Sequence, residues 1–156
     1  MADSLELTLE TLGEEQIRNF LDGVGMDLRN LRGAMNEVGR GAVNVFSGPV
    51  FAEHGRRIGE SWPRLSEPYA SRKAKMHSGA PLLVRTGAMW GNFKYESTGM
   101  SVTIYNPTPY FAYHQSTAAR SKIPRRAMIG IYKSLDSDVR RTVALVLAQK
   151  IRERSA

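Results

Sequence analysis

Residues 28–45 read LRNLRGAMNEVGRGAVNV. Leu28, Leu31, Met35, Val38, Ala42 and Val45 recur at spacings of three and four, which places them on one stripe of an α-helix. Asp22 or Asp27 can cap its start, and Ser47-Gly48-Pro49 ends it. Gly33, Gly39 and Gly41 each weaken such a helix by up to ~1 kcal/mol relative to alanine. A closely packed neighbour is one reason to tolerate them, and the sequence alone does not reveal whether one is there.

Working outward, Leu5, Leu7 and Leu9 alternate with Ser4, Glu6, Thr8 and Glu10, as a half-buried strand would. On the other side, regular pattern fades from Gly55 to Leu82. Trp62-Pro63-Arg64-Leu65-Ser66-Glu67-Pro68-Tyr69, with two prolines, reads as a loop with aromatic anchors, and Arg72, Lys73 and Lys75 fit a short helical turn. Residues 93–97 and 101–105 alternate around Thr98-Gly99, which predicts a hairpin. Asn106-Pro107-Thr108-Pro109 breaks its second strand, and Met128–Tyr132 is expected to form another short strand. The chain closes with a helix whose buried stripe is Val139, Val143, Val146 or Leu147, and Ile151. Ser134 or Asp136 can cap it, and Lys150, Arg152 and Arg154 suit its negative end.

The expected fold is therefore α+β: a small antiparallel sheet packed against a long helix in the N-terminal half and a C-terminal helix. Residues 1–156 are read as one domain with long extended loops at about 55–82 and 106–127.

Composition narrows the function. Cysteine is absent, which removes disulfides and thiolate metal sites. No secretory leader and no apolar run of bilayer-spanning length is visible, so a soluble protein made in the cytoplasm, without a membrane partner, is expected. The net charge of +7 is unevenly placed. Residues 1–37 hold eight acids against three bases, and the remainder holds seven acids against nineteen bases. No acid lies between Glu96 and Asp136, whereas Arg120, Lys122, Arg125, Arg126 and Lys133 do. An acidic front and a basic rear suit association between copies. The basic segment equally suits nucleic-acid phosphates, or is simply a solvated face.

Catalytic patterns are weak. His54, His77 and His114 form no metal-binding spacing, and neither a Gly-x-Ser-x-Gly elbow nor a phosphate-binding glycine loop is present. His114 lies among Tyr110, Phe111, Tyr113 and Gln115, a cluster able to cradle a nucleobase. Burial in the core or at a subunit contact is the commoner fate of such aromatics. A small hydrolase that uses His114 as its base is the minor alternative; no cofactor, metal or enzymatic activity is expected.

Between about residues 50 and 131 the chain resembles the virion-morphogenesis, or tail-completion, family of tailed bacteriophages, found in Mu-like and more distantly lambda-like phages. The resemblance is carried by Phe51-Ala52-Glu53-His54-Gly55, Trp62-Pro63-Arg64-Leu65-Ser66, Tyr69, Lys73 and Lys75. It continues through Leu82-Leu83-Val84-Arg85-Thr86-Gly87-Ala88-Met89, Tyr110-Phe111-Ala112-Tyr113-His114-Gln115, and Ile123-Pro124-Arg125-Arg126-Ala127-Met128-Ile129-Gly130. Ala127-Met128 stands where the family has Pro-Phe, and Ser116-Thr117 replaces the glycine that commonly follows His-Gln.

The resemblance implies a structural virion protein, assembled in the bacterial host cytoplasm, that ends the tail or joins it to the head at the neck. It would form a homo-oligomeric ring, expected to be a hexamer, bound to the tail tube or head–tail connector. DNA would pass through the ring without sequence-specific contact. In this reading Trp62, Leu65 and Tyr69 anchor an extended arm, and Thr86 and Gly87 form a tight turn before the hairpin. Tyr110, His114 and Gln115 stabilise the base of the long loop, and Arg120, Lys122, Arg125 and Arg126 face a partner or DNA. The alternative is a free-standing basic nucleic-acid-binding protein.

Overall fold

A computed structural model describes residues 5–8, 22, 31–119 and 122–155. Strand β1 spans Leu5–Thr8, and the long helix α1 spans Arg32–Ser47. Pro49 then opens a one-turn helix, α2 (Pro49–Ala52), because proline needs no N–H partner in a first turn. Helix α3 covers Glu67–Met76, strands β2 and β3 cover Lys94–Ser97 and Ser101–Tyr105, and α4 covers Phe111–Gln115. Helix α5 closes the chain over Leu135–Ser155. The fold is mixed helix and strand, with the expected long helix in the N-terminal half, hairpin and C-terminal helix. The strands form a three-stranded sheet in the order β1-β3-β2. No described helix is long and apolar enough to cross a membrane.

The chain, read as one domain from sequence, divides into two compact units, each built from separated segments. One contains Val43–Lys94 and Tyr105–Lys133; the other contains the described parts of Glu6–Ala42, Tyr95–Ile104 and Ser134–Ala156.

In the second unit the N-terminal part of α1 lies on the hairpin. Leu31 N–H donates to the Gly99 carbonyl at 2.9 Å, and Ser97 Oγ donates to Asn36 Oδ1. Leu31, Met35, Val38 and Ala42 are buried as the helical stripe requires, as are Val102 and Ile104 of β3. A Cβ added at Gly39 would come within 2.6 Å of Tyr95 Cγ, so one of the three helix glycines marks a close approach to β2. Gly41 has open space around it. Helix α5 buries Leu135 and Val139, while Val143, Val146, Leu147 and Ile151 are half-buried. Ser134 precedes it, its Oγ donating to Asp138 Oδ2 at 2.9 Å. Leu28 and Asp27 lie outside the described residues, and Asp22 is helical and exposed.

The first unit is organised by aromatic rings. Phe93 packs edge-on against Phe51 and Phe111 at 6.1 and 6.0 Å, and Phe51 meets Trp62 edge-on at 5.2 Å. Phe46 lies 6.5 Å from Phe93 and 6.2 Å from Tyr132. Such pairs contribute about 0.5–1.5 kcal/mol each beyond the area they bury.

Three expectations about irregular segments need correction. The stretch 55–82 is not one long loop: a 3₁₀ turn occupies Arg56–Ile58, and ten residues from Glu67 are helical. Pro68 sits in the first turn of α3, where it starts a helix instead of breaking one. The connection at 106–127 likewise contains α4. Met128–Tyr132 is not a strand; Met128 and Ile129 are buried, and a side chain supplies the hydrogen bonds that a neighbouring strand would have made to them.

Candidate functional site

That side chain is Gln115, at the end of α4. Its Oε1 accepts from the N–H of Met128 at 3.0 Å and of Ile129 at 3.2 Å, and its Nε2 donates to the Ile129 carbonyl at 2.6 Å. One amide, carrying a carbonyl acceptor and an N–H donor side by side, thus satisfies both polarities of a buried segment. The preceding residue joins in through its backbone, the His114 carbonyl accepting from Arg126 N–H at 3.1 Å.

Trp62 ties the same segment from the opposite direction. Its indole is buried and Nε1–H donates to the Ala127 carbonyl at 2.7 Å. Gly55 makes room for that ring: with φ +81° it is left-handed, and a Cβ there would lie 2.6 Å from the Glu60 carbonyl oxygen. Arg126 then runs inward, donating from Nε to the Pro63 carbonyl at 2.9 Å and from Nη2 to the Arg64 carbonyl at 3.1 Å.

Arg126 was expected to face a partner or DNA. It is instead buried, at 6% exposure, with its guanidinium holding its own chain. Arg125 is half-buried, paired with Glu60 and donating from Nε to the Gln115 carbonyl at 3.2 Å. Lys122 is exposed, and Arg120 lies outside the described residues. Backbone carbonyls made available by the non-strand course of 62–65 explain the inward turn of Arg126, and charge alone could not reveal it.

Of the expected anchors, Trp62 and Gln115 hold structure and Leu65 is half-buried, whereas Tyr69 and Tyr110 are exposed at 42% and 44%. Gly87 makes the expected tight turn, with φ +81° and its carbonyl accepting from Gly91 N–H at 2.8 Å. Thr86 Oγ1 accepts from Ala88 N–H at 3.4 Å across the same turn. Asn106, almost fully buried, braces it by donating to the Met89 carbonyl at 2.7 Å.

These elements enclose a cleft of about 840 Å³ within the first unit. Its lining combines α3, the Leu83–Met89 turn, α4 and the Lys122–Arg126 segment. Five lining residues are cationic (Arg64, Lys73, Arg85, Lys122 and Arg126) and none is acidic. Tyr69, Tyr110 and His114 also line it. Leu83, on the wall, is held at φ +62°, a left-handed conformation that a bulky residue rarely adopts.

Lys73 is the residue that sequence reading passed over as a site. It is 9% exposed, on the face of α3 that also carries Tyr69 one turn earlier, and its ammonium donates to the Pro81 carbonyl. Burial pushes it below the usual lysine range, and the nearby Arg126 cation pushes it the same way. Burial likewise lowers Arg126, against a smaller opposing influence from Tyr69. The available signal was the i, i+4 spacing of Tyr69 and Lys73, which is invisible once the stretch is read as a loop. Chemically, an acid-free cleft with buried cations at its base attracts and desolvates anions.

No family model, curated protein or solved structure matches the chain.

Proposed function

We propose that this protein is a structural subunit of a tailed-phage particle that completes the tail or joins it to the head, acting as a ring around the DNA channel. One observation carries the reading most directly. The separated sequence pieces that resemble the family hold one another in space: Trp62 binds Ala127, Gln115 binds Met128 and Ile129, and Arg126 binds Pro63 and Arg64. A set of motifs encoding one shared subunit should converge in this way.

The surface adds support for assembly. Ile131 is 73% exposed and Ile123 46%, both in the segment that also carries exposed Lys122. Apolar side chains placed in water beside cations suit the rim and centre of a subunit contact. The acidic 1–37 segment and the basic remainder provide complementary charge for copies arranged head to tail.

Solution mass and negative-stain imaging of the purified protein test this. A closed ring with a central hole is expected, either alone or on addition of a tail-tube or connector protein. Because Arg126 holds the fold together, the interface is better probed with Ile131→Asp and Lys122→Glu. If that folded double variant still gives infectious, normally joined particles, this segment is not the interface. A protein that stays monomeric with every tail and neck component would refute the ring reading.

A further inference from the structure

We infer that the cleft based on Lys73 and Arg126 binds a phosphate monoester, the group carried by a mononucleotide or by the 5′ end of a nucleic-acid strand. The argument starts from charge accounting. Both cations are buried, and among the described residues neither is paired with a carboxylate. Buried lysine and arginine are almost always paired. The carbonyls of Pro81, Pro63 and Arg64 hold the two head groups in place but do not neutralise them. Guanidinium carries five N–H donors and ammonium three, so donors remain on both after those bonds are made.

Two cations call for two negative charges. A phosphate monoester carries about −1.5 to −2 at neutral pH and presents three acceptor oxygens, whereas a carboxylate or a backbone diester carries only about −1. A monoester is also a terminal group, able to enter a cleft end-on; a diester is flanked by chain on both sides. Arg85 and Lys122, exposed at the mouth, would draw an anion in. Tyr69 and Tyr110 are exposed rings on the wall, placed to stack on an attached base. The cleft volume falls within the roughly 300–1,000 Å³ range of small-ligand sites. This inference is independent of the virion role, and neither stands or falls with the other.

The test is calorimetric titration of the full chain at constant ionic strength with inorganic phosphate, deoxyadenosine 5′-monophosphate and deoxyadenosine. Saturable binding of both phosphates, with none of the nucleoside, is expected. Lys73→Met should weaken that binding about tenfold or more with unchanged circular dichroism. Arg85→Ala, at an exposed position, should weaken it less and flatten its salt dependence. Comparing 5′-phosphorylated and 5′-hydroxyl oligonucleotides separates the sources. A phosphorylated strand binding more tightly than the mononucleotide supports the proposal with a strand end as ligand, and the reverse supports it with a free nucleotide. Equal binding of nucleoside and nucleotide, undiminished binding by Lys73→Met, or tighter binding of a glutamate-rich peptide than of any phosphate would each overturn it.

Discussion

Gly39 and Gly41 lie two residues apart in α1, and the same substitution is expected to have opposite effects at the two. Gly41 is exposed, mid-helix, with nothing within 4 Å of an added Cβ. Alanine there recovers helix propensity and restricts the unfolded chain, worth about 0.5–1 kcal/mol. Since 1 kcal/mol moves Tm by roughly 2–4 °C in a chain of this size, Gly41→Ala should raise Tm by about 1–4 °C. At Gly39 the same propensity gain is set against overlap. The new Cβ would stand 2.6 Å from Tyr95 Cγ and 2.8 Å from Cε2, where carbon atoms rest at about 3.5–4.0 Å. The ring cannot yield by rotating its far end, because the overlap reaches its root, so it must be displaced from the helix. Overpacking of this kind costs about 1–3 kcal/mol, which leaves Gly39→Ala destabilised by up to ~2 kcal/mol. Urea denaturation followed by circular dichroism measures both, and Tyr95→Ala supplies the internal control. Without the ring, Gly39→Ala should become stabilising, giving a coupling energy of about 1–3 kcal/mol. A stabilising Gly39→Ala in the native Tyr95 background would refute the claim that close helix–strand approach dictates this glycine.

Gln115→Leu strands two buried N–H groups and a carbonyl, and should cost about 2–5 kcal/mol in urea denaturation; Gln115→Glu keeps the two acceptor bonds but sets a carboxylate against the Ile129 carbonyl, so it too should destabilise. Gly55→Ala combines left-handed strain with overlap on the Glu60 carbonyl, so a loss of about 2–4 kcal/mol is expected in the same assay. Lys73→Met removes a buried cation that has a cationic neighbour, and should stabilise the fold by on the order of 1 kcal/mol while weakening phosphate binding. The sign of its pH dependence follows from its lowered pKa. The unfolded chain holds the lysine proton up to the ordinary lysine range and the folded chain releases it earlier, so wild-type stability should rise with pH between those two values. The gap between wild type and Lys73→Met should therefore narrow in that alkaline window, as thermal melts at stepped pH would reveal. Arg126→Glu places a carboxylate against the Pro63 and Arg64 carbonyls and should unfold the first unit, whereas exposed Lys122→Glu should leave circular dichroism and Tm unchanged.

Much of the architecture was legible because it is written in local periodicity. The buried stripe of α1 from Leu31 to Ala42, its end at Ser47-Gly48-Pro49 and the hairpin around Thr98-Gly99 follow from spacing and backbone chemistry within a few residues. Val45, by contrast, is only half-buried beside the buried Phe46, and the turn at Gly87 was expected from the resemblance to a phage family. So were Trp62 and Gln115 as anchors, to which their spacing did not point. The candidate site was much less legible. Lys73 is one of several bases in a stretch that two prolines disguised, and Arg126 looked like surface charge.

The sequence by itself determined where the long helix of the N-terminal half, the C-terminal helix and the hairpin form, since each depends on side chains close along the chain, whereas the short helices α3 and α4 lie in stretches that read as long loops. Only the tertiary structure decided which way the charges face. Arg126 turns inward because residues 62–65, about sixty positions earlier, offer it carbonyls, and Gln115 stands in for a strand because Met128 and Ile129 arrive beside it without one. Hydrogen bonds and Coulomb forces act through space, and their balance of desolvation against partners cannot be read until distant segments have been brought together.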